Sequence, residues 1–123
     1  MSKKVLVVDD SPTVRQQVGL ALKLAGFDVL EACDGAEGLV KVKADTSIGM
    51  VILDINMPNM NGLEMLEAIR AGGAHATLHI VMLTSEGSQA LLERAKKAGA
   101  KGWIIKPFKA EILVATVRKL LAA

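Results

Sequence analysis

At 123 residues the chain is the size of a single domain and long enough to bury its own core. A hydrophobic share of 51% and a charged share of 23% exclude a disordered chain, and apolar runs of only four to six residues exclude a bilayer-spanning helix. The net charge of +2 is uneven: residues 1–86 carry seven Lys/Arg against eleven Asp/Glu (−4), and residues 87–123 carry eight against two (+6).

The start, "MSKK", runs directly into a strand-like segment, unlike a signal peptide, so a cytoplasmic protein is expected. That first strand is Lys4–Val8, and two acids, Asp9 and Asp10, follow it. Ser11 is placed to cap a helix with Pro12 as its first residue, and Val14, Val18, Ala21, Leu22 and Ala25 share one face of it. Gly26 stops this helix. A second strand, Phe27–Glu31, holds two acids, which suits a sheet edge. Cys33, the single cysteine, cannot form an internal disulfide and reads as a small, half-buried apolar residue. Asp34 with Glu37 has the spacing of a capping box for a second helix.

Met50–Leu53 is the third strand, and Asp54 follows it. Asn61 with Glu64 repeats the capping-box spacing for a third helix, with Gly72 at its stop. Ile80–Leu83 is the fourth strand, followed by Thr84 and Ser85. A fourth helix stops at Gly99, a fifth strand covers Gly102–Ile105, and Lys106 follows it. Leu113, Val114, Val117, Leu120 and Leu121 give the last helix its apolar face. Strands alternating with helices predict an α/β domain with a parallel sheet. "VLVV", "MVIL" and "IVML" are apolar on both faces, as interior parallel strands are. One domain is expected, with no output domain after Ala123.

In such sheets ligands bind at the carboxyl ends of the strands. Four of the five predicted strands end in polar groups there: Asp9 and Asp10, Asp54, Thr84 with Ser85, and Lys106. A lone polar residue merely ends a strand, but three carboxylates and a lysine on one rim point to chemistry. Clustered carboxylates raise one another's pKa unless a cation intervenes, and Mg²⁺ suits carboxylate, water and phosphate oxygens. A carboxylate beside that metal can be a nucleophile towards phosphorus. Lys106 and the Thr84 hydroxyl could support the phosphoryl oxygens. No Gly-rich nucleotide loop is present, so the donor is not expected to be a bound nucleotide.

"VLVVDDSPTVR", "VILDINMPNMNGLEML", "VMLTSEG" and "GWIIKPF" resemble the receiver domain of bacterial two-component response regulators, in order and across nearly the whole chain. The stand-alone chemotaxis type is the nearest likeness. The resemblance implies a flavodoxin-like, doubly wound three-layer fold with five helices and a five-stranded parallel sheet in the order 2-1-3-4-5. It implies Asp54 as phosphoacceptor from a sensor histidine kinase, with Thr84 and Lys106 contacting the phosphoryl group. It implies Mg²⁺ held by Asp10 directly, Asp9 through water, Asp54, and the Asn56 backbone carbonyl. A cis bond between Lys106 and Pro107 comes with it. Asn56 and Glu86 resemble tuners of dephosphorylation, although Glu86 also fits as a solvated first-turn acid.

Trp103 stands where the family usually has tyrosine or phenylalanine. A larger indole with an N–H to satisfy either stays outward or serves as binding surface instead of switching fully inward. The fourth helix, fifth strand and fifth helix form the family's docking face, which here holds Arg94, Lys96, Lys97, Lys101, Lys109, Arg118 and Lys119 beside Trp103. The expected target is an acidic segment of a flagellar motor switch, and the same face could serve homodimerisation, although a monomer is expected. A phosphatase is a further possible partner. Nucleic acid is not expected, because interleaved aromatics and a reading motif are missing, and no membrane is expected.

Other readings fit less well. A phosphate sink would share every site residue. An aspartyl-nucleophile phosphatase usually carries a second Asp two positions after the nucleophile, where Asn56 stands. A flavin carrier would need a hydroxyl-rich loop after the first strand. A receiver working without phosphorylation would not need the full set of Asp9, Asp10, Asp54, Thr84 and Lys106.

Overall fold

A computed structural model describes residues 4–55, 57, 59–71, 78–85 and 89–122. The elements alternate: β1 Lys4–Val8, α1 Pro12–Leu24, β2 Asp28–Ala32, α2 Gly35–Ala44, β3 Ile48–Leu53, α3 Gly62–Ala71, β4 His79–Thr84, α4 Gln89–Lys97, β5 Gly102–Ile105 and α5 Ala110–Ala122. All strand pairs are parallel, in the order β2-β1-β3-β4-β5. The three apolar strands are interior and acid-bearing β2 is an edge, as their compositions predict.

Successive side chains of a strand point to opposite faces, so each interior strand feeds two cores. Val5, Val7, Met50, Ile52, Val81 and Leu83 pack with Leu22 of α1 and Leu113 and Val117 of α5. Leu6, Val8, Val51, Leu53, Ile80 and Met82 pack with Val42, Leu66 and Ala95 from α2, α3 and α4. The result is a three-layer sandwich. Among the described residues no helix is long and apolar enough to cross a membrane.

The helix ends follow the predicted signals. Ser11 caps α1, accepting from the Val14 amide, with Pro12 in first position. Gly26 (φ 95°) closes α1 with two crossed bonds, Phe27 N–H to the Leu22 carbonyl and Gly26 N–H to the Lys23 carbonyl. Gly99 (φ 96°) does the same for α4. Asn61 and Glu64 form the reciprocal capping box, each side chain accepting the other's amide at 2.9–3.0 Å. At α2 the box slips by one residue: Asp34 accepts the Glu37 amide, but Glu37 takes the Cys33 amide. Gly72 lies outside the described residues.

Three strand boundaries and one burial differ from expectation. β2 begins at Asp28 rather than Phe27 and reaches Ala32, because the ladder with β1 pairs Lys4 with Asp28 and Val8 with Ala32. Phe27 is instead spent on closing α1. β3 starts at Ile48, which pairs with Lys4 across a register shift, since the next pair is Val5 with Met50 and Gly49 is the extra residue. β4 gains His79 and Thr84, each held by a ladder partner. Cys33 is exposed, not half-buried: it lies between the end of an edge strand and the capping Asp34, where no layer covers it.

Candidate functional site

Strand order reverses at β1, so β1 and β3 lie side by side with α1 leaving one way and α3 the other; their carboxyl ends form the crevice such sheets use. Backbone bonds extend the ladders by one residue and fix the rim. The Asp9 amide donates to the Ala32 carbonyl (3.1 Å), Asp54 to Val8 (3.0 Å) and Lys106 to Thr84 (2.9 Å). Asp9, Asp10 and Asp54 each offer a carboxylate oxygen within a group spanning no more than 4.8 Å. Sequence-distant residues are thus adjacent.

Asp9 (1% exposed) and Asp54 (6%) are buried, Thr84 is fully buried at the end of β4, and Asp10 is exposed. Lys106 reaches in from β5, its Nζ 2.8 Å from Asp9 Oδ2 and 3.5 Å from Asp54 Oδ1. Asp9 Oδ1 accepts the Ser11 amide and Asp54 Oδ1 the Ile55 amide, both at 2.9 Å. Burial, and then the charge of Asp9, pushes the Asp54 carboxyl up to about 6, against the opposing pull of Lys106 and the Ile55 amide. One ammonium among three carboxylates leaves an excess of negative charge. Hard oxygens at this spacing fit a small divalent cation, magnesium by donor chemistry.

The loop after Asp54 is held by close approaches. A Cβ on Gly62 would stand 2.0 Å from the Asp54 carbonyl oxygen, and one on Gly35 would stand 2.6 Å from that of Met60. Asn59, at φ 66°, donates from Nδ2 to Asp34 Oδ2 at 2.7 Å, tying the loop to the start of α2. Sequence reasoning missed Asn59, Gly35 and Gly62, though "PNMNG" carries the turn residues that announce such a loop. It also missed Arg15, whose Nη1 donates to the Asp9 carbonyl at 2.6 Å and whose Nε donates to Glu31 at 3.1 Å.

Asn56 and Glu86 lie outside the described residues. The Lys106–Pro107 bond is cis, as expected. Half-buried Trp103 packs against the core beneath α3 and α4. Lys109 lines one shallow depression with Trp103, Ile105 and Ile112. Lys96 and Lys97 are exposed in the last turn of α4, and Lys97 borders the separate groove between α3 and α4. Arg94, grouped with the basic face from sequence, is paired with Glu67 through two bonds of 2.7 and 3.0 Å, because its side chain lies across to α3.

Known proteins share this plan. The model of the response regulator receiver domain matches residues 5–118. The chemotaxis protein CheY1 of Helicobacter pylori is 41% identical over 111 residues, 89% of this chain and 90% of the relative. The solved structure of chemotaxis protein CheY4 of Vibrio cholerae matches with a TM-score of 0.90 at 39% identity, over 98% of this chain and 99% of that one. A CheX–CheY–BeF3–Mg complex from Borrelia burgdorferi contains a chain matching with a TM-score of 0.90 at 30% identity, over 96% and 88%. Receiver domains are phosphorylation-activated signalling switches rather than enzymes that turn over separate substrates. On sequence and fold together, the chain belongs to the response regulator receiver domain family.

Proposed function

We propose that this protein is a stand-alone chemotaxis regulator of the cytoplasm, phosphorylated on Asp54 by a sensor histidine kinase. One observation carries the reading: Asp54 is a buried carboxylate set against Asp9, Asp10 and Lys106 at adjoining strand ends. The chemotaxis assignment is supported by the names of the relatives from Helicobacter and Vibrio.

Phosphoryl transfer needs positioning and positive charge more than covalent work by the protein. In the proposed step the kinase histidine's P–N bond breaks, a P–O bond to Asp54 forms, and the imidazole nitrogen keeps the electron pair. With its carboxyl at about 6, Asp54 is mostly ionised at neutral pH and can attack. Magnesium held by Asp10, Asp54 and the Asn56 carbonyl, and by Asp9 through water, would supply positive charge for the phosphoryl oxygens. Lys106, already 3.5 Å from Asp54, would add a second cation, and the Thr84 hydroxyl a hydrogen bond. Asn56 and Glu86 would set the approach of the hydrolysing water.

The readout would be carried by the surface of α4, β5 and α5, with Trp103, Lys96, Lys97 and Lys109 meeting an acidic segment of a motor-switch protein. A phosphorylation-linked change in Thr84 would bias α4, which begins a few residues later. A CheX-like phosphatase would terminate the signal, by analogy with the Borrelia complex.

Trp103 is the only tryptophan and there is no tyrosine, so intrinsic fluorescence reports from β5. Magnesium should change it modestly, beryllofluoride should change it further, and Asp54→Asn should abolish the second step. No response of the parent chain to either addition would contradict the switch reading.

A further inference from the structure

We infer that Arg15 is a positioning residue for the metal-binding acids, acting through the peptide that joins Asp9 to Asp10. The inference rests on the magnesium site proposed above. The last ladder pair between β1 and β2 is Val8 with Ala32, so the Asp9 carbonyl lies beyond the paired strands. Long helical side chains lean towards the helix start, and that of Arg15 does so from the first turn of α1. Its Nη1 takes the Asp9 carbonyl oxygen at 2.6 Å, while its Nε is held by Glu31 on β2 at 3.1 Å.

With that bond every polar atom of Asp9 is held. Its amide is on Ala32, its carbonyl on Arg15, Oδ1 on the Ser11 amide, and Oδ2 on Lys106. The Asp10 carboxylate is exposed, so its direction is set by the main chain that carries it. The Asp9 carbonyl belongs to the peptide plane joining the two acids. Fixing that oxygen therefore aims Asp10 at the rim. Arg15 itself is mostly covered, its side chain 17% exposed, so the guanidinium is a fitted part rather than a solvated charge.

Two roles for this guanidinium predict opposite signs. As a bare positive charge beside an acidic rim, Arg15 opposes cation binding, and removing it should tighten magnesium. As the holder of the Asp9–Asp10 peptide, it pre-forms the site, and removing it should loosen magnesium. Groups that orient metal ligands are worth about 10- to 100-fold in metal affinity.

The test is calorimetric titration with magnesium alone of the parent chain, Arg15→Met and Arg15→Lys. Thermal unfolding in EDTA shows that each variant is folded. The expected result is about tenfold weaker magnesium binding by Arg15→Met. Arg15→Lys, which keeps the charge but has a single donor nitrogen, should recover part of the loss. Equal or tighter binding by Arg15→Met overturns the assignment. Should that variant not fold, Arg15→Gln reads the same comparison against the same two outcomes. A parent chain that takes up no magnesium overturns the metal site itself and Arg15's role with it, whereas a parent that binds while Arg15→Met binds as well overturns Arg15 alone.

Discussion

The carboxylate of Asp54, 6% exposed and facing Asp9, is poorly solvated when ionised, and that is why its carboxyl rises to about 6. An acid whose folded pKa lies above the unfolded value of about 3.9 binds protons more readily in the native state. Stability therefore falls as pH rises from about 4 to about 6, and the penalty is complete above that range. Asp54→Asn should accordingly stabilise the chain in EDTA by about 1–2 kcal/mol at pH 8, with the gain gone near pH 4. Denaturant unfolding at both pH values checks this, and a variant less stable than the parent at pH 8 would contradict it. The residues making this site were legible because polar side chains ended four strands. Arg15 was not, because an arginine one turn into a helix looks like solvated surface until the fold brings it to the Asp9 carbonyl.

Among the elements, α3 has the clearest local instructions. Asn61 and Glu64 satisfy each other's amides, so Asn61→Ala should cost about 1 kcal/mol, while Glu64→Gln, which keeps an acceptor, should cost less. Unfolding midpoints of the two variants decide this, and an Asn61→Ala midpoint equal to the parent's would mean that the cap adds nothing. Caps and glycine stops were readable because they are local hydrogen-bond chemistry. Strand ends were not: whether Phe27 or Ala32 belongs to β2 depends on a register with β1, which no local pattern states. Cys33 was misjudged for the same reason, since a residue's cover on an edge strand comes from layers elsewhere in the chain. Arg94 pairs across to α3 only once α4 has been set against it.

For the molecule as a whole, alternation of strand and helix was enough to specify the class, and two-faced apolar strands identified the interior of the sheet. The order 2-1-3-4-5 came with the family likeness and not from periodicity, because parallel strands of similar composition could be threaded in several orders. That order is what brings Asp9 and Asp10 beside Asp54 and lets Lys106 reach both Asp9 and Asp54. It also places Trp103 and Lys109 together in the depression by the β5 edge. The most direct measurement of the central claim is mass spectrometry after incubation with a small phosphodonor, with and without magnesium, followed by peptide mapping. The account predicts a gain of one phosphoryl group per chain that requires magnesium, maps to Asp54 and is absent from Asp54→Asn. A gain on another residue, or none in the presence of magnesium and donor, would contradict it.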